Sequence, residues 1–184
     1  AQAMRITYAG VFWEDRKPDY FLRALQELFK DRPKLRGRIE AVFVGHFREE
    51  NTKLVNKLGL QDTVTSLGYL PHTECTRELM SSDALWMIVG DDRGSPGKVY
   101  EYIGARKPVL ACAPEGFISA TVEEAGGWVV RPDDVAGIRK AIEDMYAQWE
   151  HHTLQGPPEP VVQKYSRVAL TGALVKSFEA LREP

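Results

Sequence analysis

The sequence predicts an α/β chain, a six-stranded parallel sheet wound between two layers of helices. Short apolar runs alternate with segments of helical periodicity from one end to the other, and four of those runs stop at a glycine. The strand candidates are residues 6–9 before Gly10, 41–44 before Gly45, 64–67 before Gly68, and 84–89 before Gly90. The fourth, ALWMIV, is apolar throughout, as a strand buried on both faces should be, which places it centrally. Residues 108–112 and 128–130 complete the sheet, the last blocked from extension by Pro132.

Helices are predicted over 19–29, with Phe21, Leu22, Leu25 and Leu28 on one face, and over 50–58, 73–80, 96–106, 118–125 and 135–149. This is a doubly wound, Rossmann-like rhythm occupying residues 1–150. Residues 151–160, with Gly156, Pro157, Pro158 and Pro160, read as a linker. A last amphipathic helix over 166–181 is expected to pack back on the same domain, so that 151–184 form a linker and C-terminal helical extension.

Composition narrows the function. The 24 Lys and Arg against 26 Asp and Glu give a net charge of −2, with no basic excess to attract nucleic acid. Cys75 and Cys112 lie far apart without metal-ligand spacing, so neither a disulfide framework nor a zinc site is expected. No apolar run is long enough for a membrane span, and the first residues lack a signal-peptide pattern, which predicts a cytoplasmic protein. Ala1, Gln2 and Ala3 before Met4 are consistent with a piece of a larger protein.

In a doubly wound sheet, ligands gather beyond the carboxyl ends of the strands, near the reversal of strand order. After the first strand, Arg16 and Lys17 precede the helix beginning at Asp19, where an anion could rest; a solvated basic pair is the plainer alternative. No G-x-G-x-x-G follows Gly10, which removes the main support for a dehydrogenase, and no G-x-S-x-G is present to carry hydrolase chemistry.

The fourth loop and its helix, residues 91–108, are richer. Ser95 and Pro96 suit an N-cap and first helical residue, leaving the N–H groups of Gly97 and Lys98 directed at the crevice, and Gly94 and Gly97 permit close approach. Val99, Tyr102, Ile103 and Arg106 follow the spacing of a sheet-facing stripe, with Lys98, Glu101 and Ala105 beside it. Glu101, acceptor-only when ionised, could take both vicinal hydroxyls of a ribose, and Lys98 could meet a phosphate. The alternative is an ordinary helical ion pair worth about 0.2–0.5 kcal/mol.

Gly97-Lys98-Val99-Tyr100-Glu101-Tyr102 and Arg106-Lys107-Pro108-Val109-Leu110-Ala111 resemble the nucleotide-sugar motif of group 1, family 4-like glycosyltransferases of GT-B fold. Gly68-Tyr69-Leu70-Pro71 and Ser82-Asp83-Ala84 extend the resemblance, which runs over about residues 6–142. It implies that Glu101 binds the donor ribose, that Gly94, Ser95 and Gly97 lie near the sugar and diphosphate, and that the backbone at Tyr69 and Leu70 meets the base. Arg16, with Lys17 or Lys98, would neutralise the diphosphate. Two departures stand out: the family's sugar-contacting acid falls at Arg93, and its partner arginine falls at Val11.

The resemblance therefore implies the donor-binding, C-terminal domain of a glycosyltransferase that takes a nucleotide-sugar, uridine-linked, as donor. Transfer to an unseen acceptor would be retaining and metal-independent, with no further cofactor and no catalytic base in this chain. The acceptor-binding N-terminal domain would be the missing partner, and any peripheral membrane attachment would come through it. The alternatives are a sugar-nucleotide epimerase of related fold, which would turn over without acceptor, and a non-catalytic nucleotide-sensing or protein-interaction domain.

Overall fold

The computed structural model describes residues 3–12, 16–90 and 97–180. Six parallel strands form one sheet: β1 (Met4–Ala9), β2 (Ile39–Val44), β3 (Val64–Gly68), β4 (Ala84–Ile88), β5 (Val109–Cys112) and β6 (Trp128–Val130). Their spatial order is β3-β2-β1-β4-β5-β6, so the winding reverses between β1 and β4. Each strand sits within about two residues of its predicted position; for the first four, an apolar run closed by glycine leaves little freedom in where the chain turns.

The helices are α1 (Asp19–Asp31), α2 (Glu49–Leu58), α3 (His72–Ser81), α4 (Lys98–Gly104), α5 (Phe117–Glu124), α6 (Val135–Glu150), α7 (Glu159–Lys164) and α8 (Arg167–Ala180). Strand alternation divides the core into two layers. Ile6, Tyr8, Phe43, Trp86 and Cys112 pack with Phe21, Leu25 and Leu28 of α1, Val55 of α2 and Ile142 of α6. On the other face Val42, Leu85, Met87 and Ala111 pack with Leu79 of α3, Val99, Tyr102 and Ile103 of α4, and Val122 of α5. The apolar character of β4 on both faces, read from its sequence, is this double covering: all five residues are buried.

Three expectations need correction. First, α4 is shorter than the predicted 96–106: it ends at Gly104, and Arg106, expected on the sheet-facing stripe, is exposed with φ 59° and paired with Glu159. Once the backbone leaves helical geometry, the stripe no longer fixes where Arg106 points. Second, the proline-rich linker contains α7. Pro158 is its N-cap and Pro160 lies in its first turn, where a missing N–H costs nothing, so prolines read as breakers start a helix instead. Third, α8 buries none of its residues, and Val168, Leu170, Leu174, Val175 and Phe178 are all exposed, so the expected packing on the domain is not formed. Among the described residues, no helix is long and apolar enough to cross a membrane.

Candidate functional site

The site is built from the carboxyl ends of the strands, where the glycines following β1 and β2 let the loops crowd together. A β-carbon placed on Gly45 would lie 2.1 Å from the Gly10 carbonyl oxygen, and φ at Gly45 is +122°, so only glycine fits there. The Gly10 N–H donates to the Val44 carbonyl at 2.8 Å, and the Gly45 N–H to the Gly68 carbonyl at 2.7 Å. Three strand ends are thereby tied in a row beneath the crevice.

The reversal of strand order supplies the opening. β1 and β4 pair directly at Ile6 with Ala84 and Thr7 with Leu85. Beyond that, the hydroxyl of Tyr102 in α4 stands between the strands, accepting from the Ala9 N–H at 3.0 Å and donating to the Trp86 carbonyl at 3.2 Å. One turn earlier on the same helix, the Lys98 ammonium donates to the Ala9 carbonyl. It also lies 5.9 Å from the centroid of the Tyr8 ring.

Lost hydration lowers the Lys98 pKa below the ordinary lysine value; Glu101 and Cys75 oppose the shift, and Arg16 adds to it. Burial likewise raises the Cys75 thiol, with Lys98 opposing and Glu101 reinforcing, and pushes the Tyr8 phenol up to about 12 against the nearby charge of Arg16. These mutual influences place Arg16, Lys98, Glu101 and Cys75 in one electrostatic neighbourhood although they come from three separate segments of the chain. Glu101 itself is exposed, in the first turn of α4.

The sequence-predicted residues divide accordingly. Arg16, Lys98 and Glu101 are brought together; Lys17 and Gly97 are exposed beside them in sequence; Tyr69 is 86% exposed on the loop after β3, and Leu70 is half-buried against the second core layer. Gly94 and Ser95 lie outside the described residues, as do Asp91, Asp92, Arg93 and Pro96. Lys98 was expected to turn toward a ligand, and it is instead engaged by the Ala9 carbonyl. The observed α4 has seven residues, so less helix-end charge is available for an anion than the longer predicted helix implied.

Sequence reasoning missed the role of Tyr102, placed on the sheet-facing stripe only for its apolar ring. The signal was its hydroxyl: a tyrosine at a fully buried position needs a polar partner. A separate depression of about 140 Å3 between α1 and α2, lined by Gln26, Phe29, Lys30, Arg36, Leu58 and Leu60, contains none of the predicted residues.

Comparison with solved structures places this architecture among known enzymes. WaaG, a glycosyltransferase involved in lipopolysaccharide biosynthesis, superposes with a TM-score of 0.68 at 18% identity, over 92% of this chain and 43% of that one. Anabaena HepE, crystallised with UDP and glucose, gives 0.69 at 16% identity, over 97% of this chain and 48% of that one. The C-terminal domain of the group 1 glycosyl transferase LpcC from Francisella tularensis gives 0.65 at 14% identity, over 92% of this chain and 85% of that one. The chain thus spans less than half the length of WaaG and HepE but most of the isolated LpcC domain. Comparison with curated protein sequences gives no match. The family model for glycosyl transferases group 1 matches residues 3–148. With that match covering most of its length, on a doubly wound sheet shared with GT-B enzymes, the chain belongs to the group 1 glycosyltransferase family.

Proposed function

We propose that this chain binds the nucleoside diphosphate of a sugar donor, uridine-linked by preference, and forms the donor half of the transferase. The observation that carries the reading is the placement of Glu101: exposed, in the first turn of the helix seated at the strand-order reversal, with Lys98 in electrostatic reach and Arg16 in turn within reach of Lys98. A carboxylate there takes two hydroxyl donors of a ribose at once. Arg16, exposed and able to bind two phosphate oxygens through its planar guanidinium, faces the diphosphate, with Lys17 beside it. The backbone at Tyr69 and Leu70 meets the base, and Gly97 leaves room for the sugar and diphosphate. HepE, which shares this fold, was crystallised with UDP and glucose, and that supports the same ligand class here.

In transfer, negative charge grows on the diphosphate as its bond to the sugar breaks. Fixed cations stabilise that charge without reorganising, and here Arg16, Lys17 and the ammonium of Lys98 supply them. None of the residues assigned here takes the part of a base; retention of configuration and independence from metal go with this reading. The acceptor is held by the remainder of a longer enzyme, since HepE and WaaG are each more than twice the length that this chain spans. The isolated chain then binds donor and turns over poorly.

Calorimetric titration with UDP, GDP and ADP tests the reading. Micromolar to millimolar binding is expected, tightest for UDP. Absence of binding by all of them contradicts it, and sugar-nucleotide turnover without acceptor favours an epimerase.

A further inference from the structure

Ala9, the last residue of β1, has both of its backbone polar groups held by side chains of α4. Its N–H donates to Tyr102 Oη at 3.0 Å, and its carbonyl accepts from Lys98 Nζ. Tyr102 Oη passes the connection on to the Trp86 carbonyl of β4 at 3.2 Å. Residues 98 and 102 stand about one turn apart, so both grips come from one helix face.

The register shows why the grips are needed. β1 and β4 pair at Ile6 with Ala84 and Thr7 with Leu85. Where the crevice opens past those pairs, the buried backbone groups of Ala9 and Trp86 would be left unmatched, and the tyrosine hydroxyl stands in for a ladder bond. The ammonium also borders the next residue: a β-carbon on Gly10 would be 3.0 Å from Lys98 Nζ and 3.0 Å from Tyr8 Oη. The start of the loop leading to Arg16 is therefore fixed directly against the helix that carries Glu101.

We propose that Lys98 and Tyr102 are positioning residues of the donor site: by clasping Ala9 they set the spacing between Arg16, on the β1–α1 segment, and Glu101, on α4. The inference rests on the donor-binding reading above and adds to it Tyr102, which acts on the ligand through the backbone of β1, and a positioning role for Lys98 beside its charge. Tyr102 is fully buried, so its hydroxyl reaches a ligand only through that backbone. A ligand that spans both elements, with its diphosphate at one and its ribose at the other, feels the spacing, whereas a nucleoside touching only one of them does not.

The test uses the wild type, Tyr102→Phe and Lys98→Met, titrated with uridine and with whichever of UDP, GDP and ADP binds best, together with amide hydrogen exchange of the ligand-free proteins. In Tyr102→Phe, exchange at Ala9 and Gly10 should accelerate while that at Val42 in β2 stays unchanged. Diphosphate affinity should fall about tenfold, with nucleoside affinity unchanged. Lys98→Met also removes a charge assigned to the diphosphate and should weaken it by more, so Tyr102→Phe, which keeps every charge, decides the test. A purely structural role would lower Tm and leave the ratio of diphosphate to nucleoside affinity as in wild type. That ratio unchanged, or unchanged exchange at Ala9, overturns the inference while leaving the donor reading intact. Failure of the wild type to bind any of the three diphosphates overturns the donor reading, and this inference with it.

Discussion

Gly45 closes on Gly10 so tightly that a β-carbon on Gly45 would sit 2.1 Å from the Gly10 carbonyl oxygen. The contact joins the ends of β1 and β2 under the candidate site, and it predicts an asymmetry among glycines of positive φ. Gly45→Ala combines backbone strain with a collision against main chain and should destabilise by at least about 2 kcal/mol. Gly59→Ala, at φ +68° with open space around it, should cost only about 1–2 kcal/mol. Urea unfolding of the two variants measures the difference, and equal losses would contradict the packing at the strand ends.

The first core layer predicts a second stability result. Phe21 stacks on Trp86 with ring centroids 4.3 Å apart and an interplanar angle of 22°, both side chains fully buried. Phe21→Ala should lose about 3–5 kcal/mol, while Tyr20→Ala, the exposed neighbour on α1, should change stability by less than about 0.5 kcal/mol. A comparable loss in both would mean that α1 packs on another face.

The two thiols differ in exposure and should differ in reactivity. Cys112 is buried, its thiol pushed up to about 12 by desolvation, whereas Cys75 is half-buried beside Lys98 and Glu101. A small alkylating reagent at pH 8 should modify Cys75 in the native protein and Cys112 only after denaturation. Saturating nucleotide diphosphate should slow Cys75 modification, because that thiol shares the electrostatic neighbourhood assigned to the donor. Mass spectrometry of the quenched reaction reads both effects, and modification of Cys112 first would contradict the burial.

Lys98 gives the site a pH dependence whose sign is fixed. Burial depresses its folded-state pKa, so it loses its proton at a lower pH than an ordinary lysine; Tyr8, Arg16, Cys75 and Glu101 are the titratable and charged groups that act with it there. A bound diphosphate favours the protonated ammonium. Affinity should therefore fall as pH rises through that depressed pKa, in a step that Lys98→Met lacks. For folding the sign is opposite: the unfolded chain binds the extra proton, so stability attributable to Lys98 is lost as pH falls from about 10.4 through the depressed value. Titrations at several alkaline pH values, alongside unfolding at the same pH, separate the two.

Arg16 is the exposed cation assigned to the diphosphate. Arg16→Ala should weaken UDP binding by about 1.5–3 kcal/mol and leave uridine binding unchanged. The same affinity for UDP would remove Arg16 from the site.

Much of the fold was legible because it follows from local patterns. The apolar runs before Gly10, Gly45 and Gly68 mark where strands must stop, and the unbroken apolar run of β4 marks the sheet's centre. Position in space was less legible. Lys98 and Glu101 share a turn, but the sequence does not show that Ala9, almost ninety residues earlier, would take the lysine's hydrogen bond. Arg106 fits the stripe by spacing, yet α4 stops before reaching it, and Pro158 and Pro160 read as breakers although they open α7. A tertiary contact decided the first case and helix-end geometry the other two.

The contact between Glu101 and ribose is tested most directly by a two-by-two titration. Wild type and Glu101→Ala are each titrated with UDP and with its 2′,3′-dideoxy analogue. If the carboxylate holds both alcohols, the analogue should bind wild type about 10- to 100-fold more weakly than UDP, and the variant should bind the two ligands alike. An equal penalty for the analogue in both proteins would show that the hydroxyls are recognised elsewhere, and the assignment of Glu101 would fall.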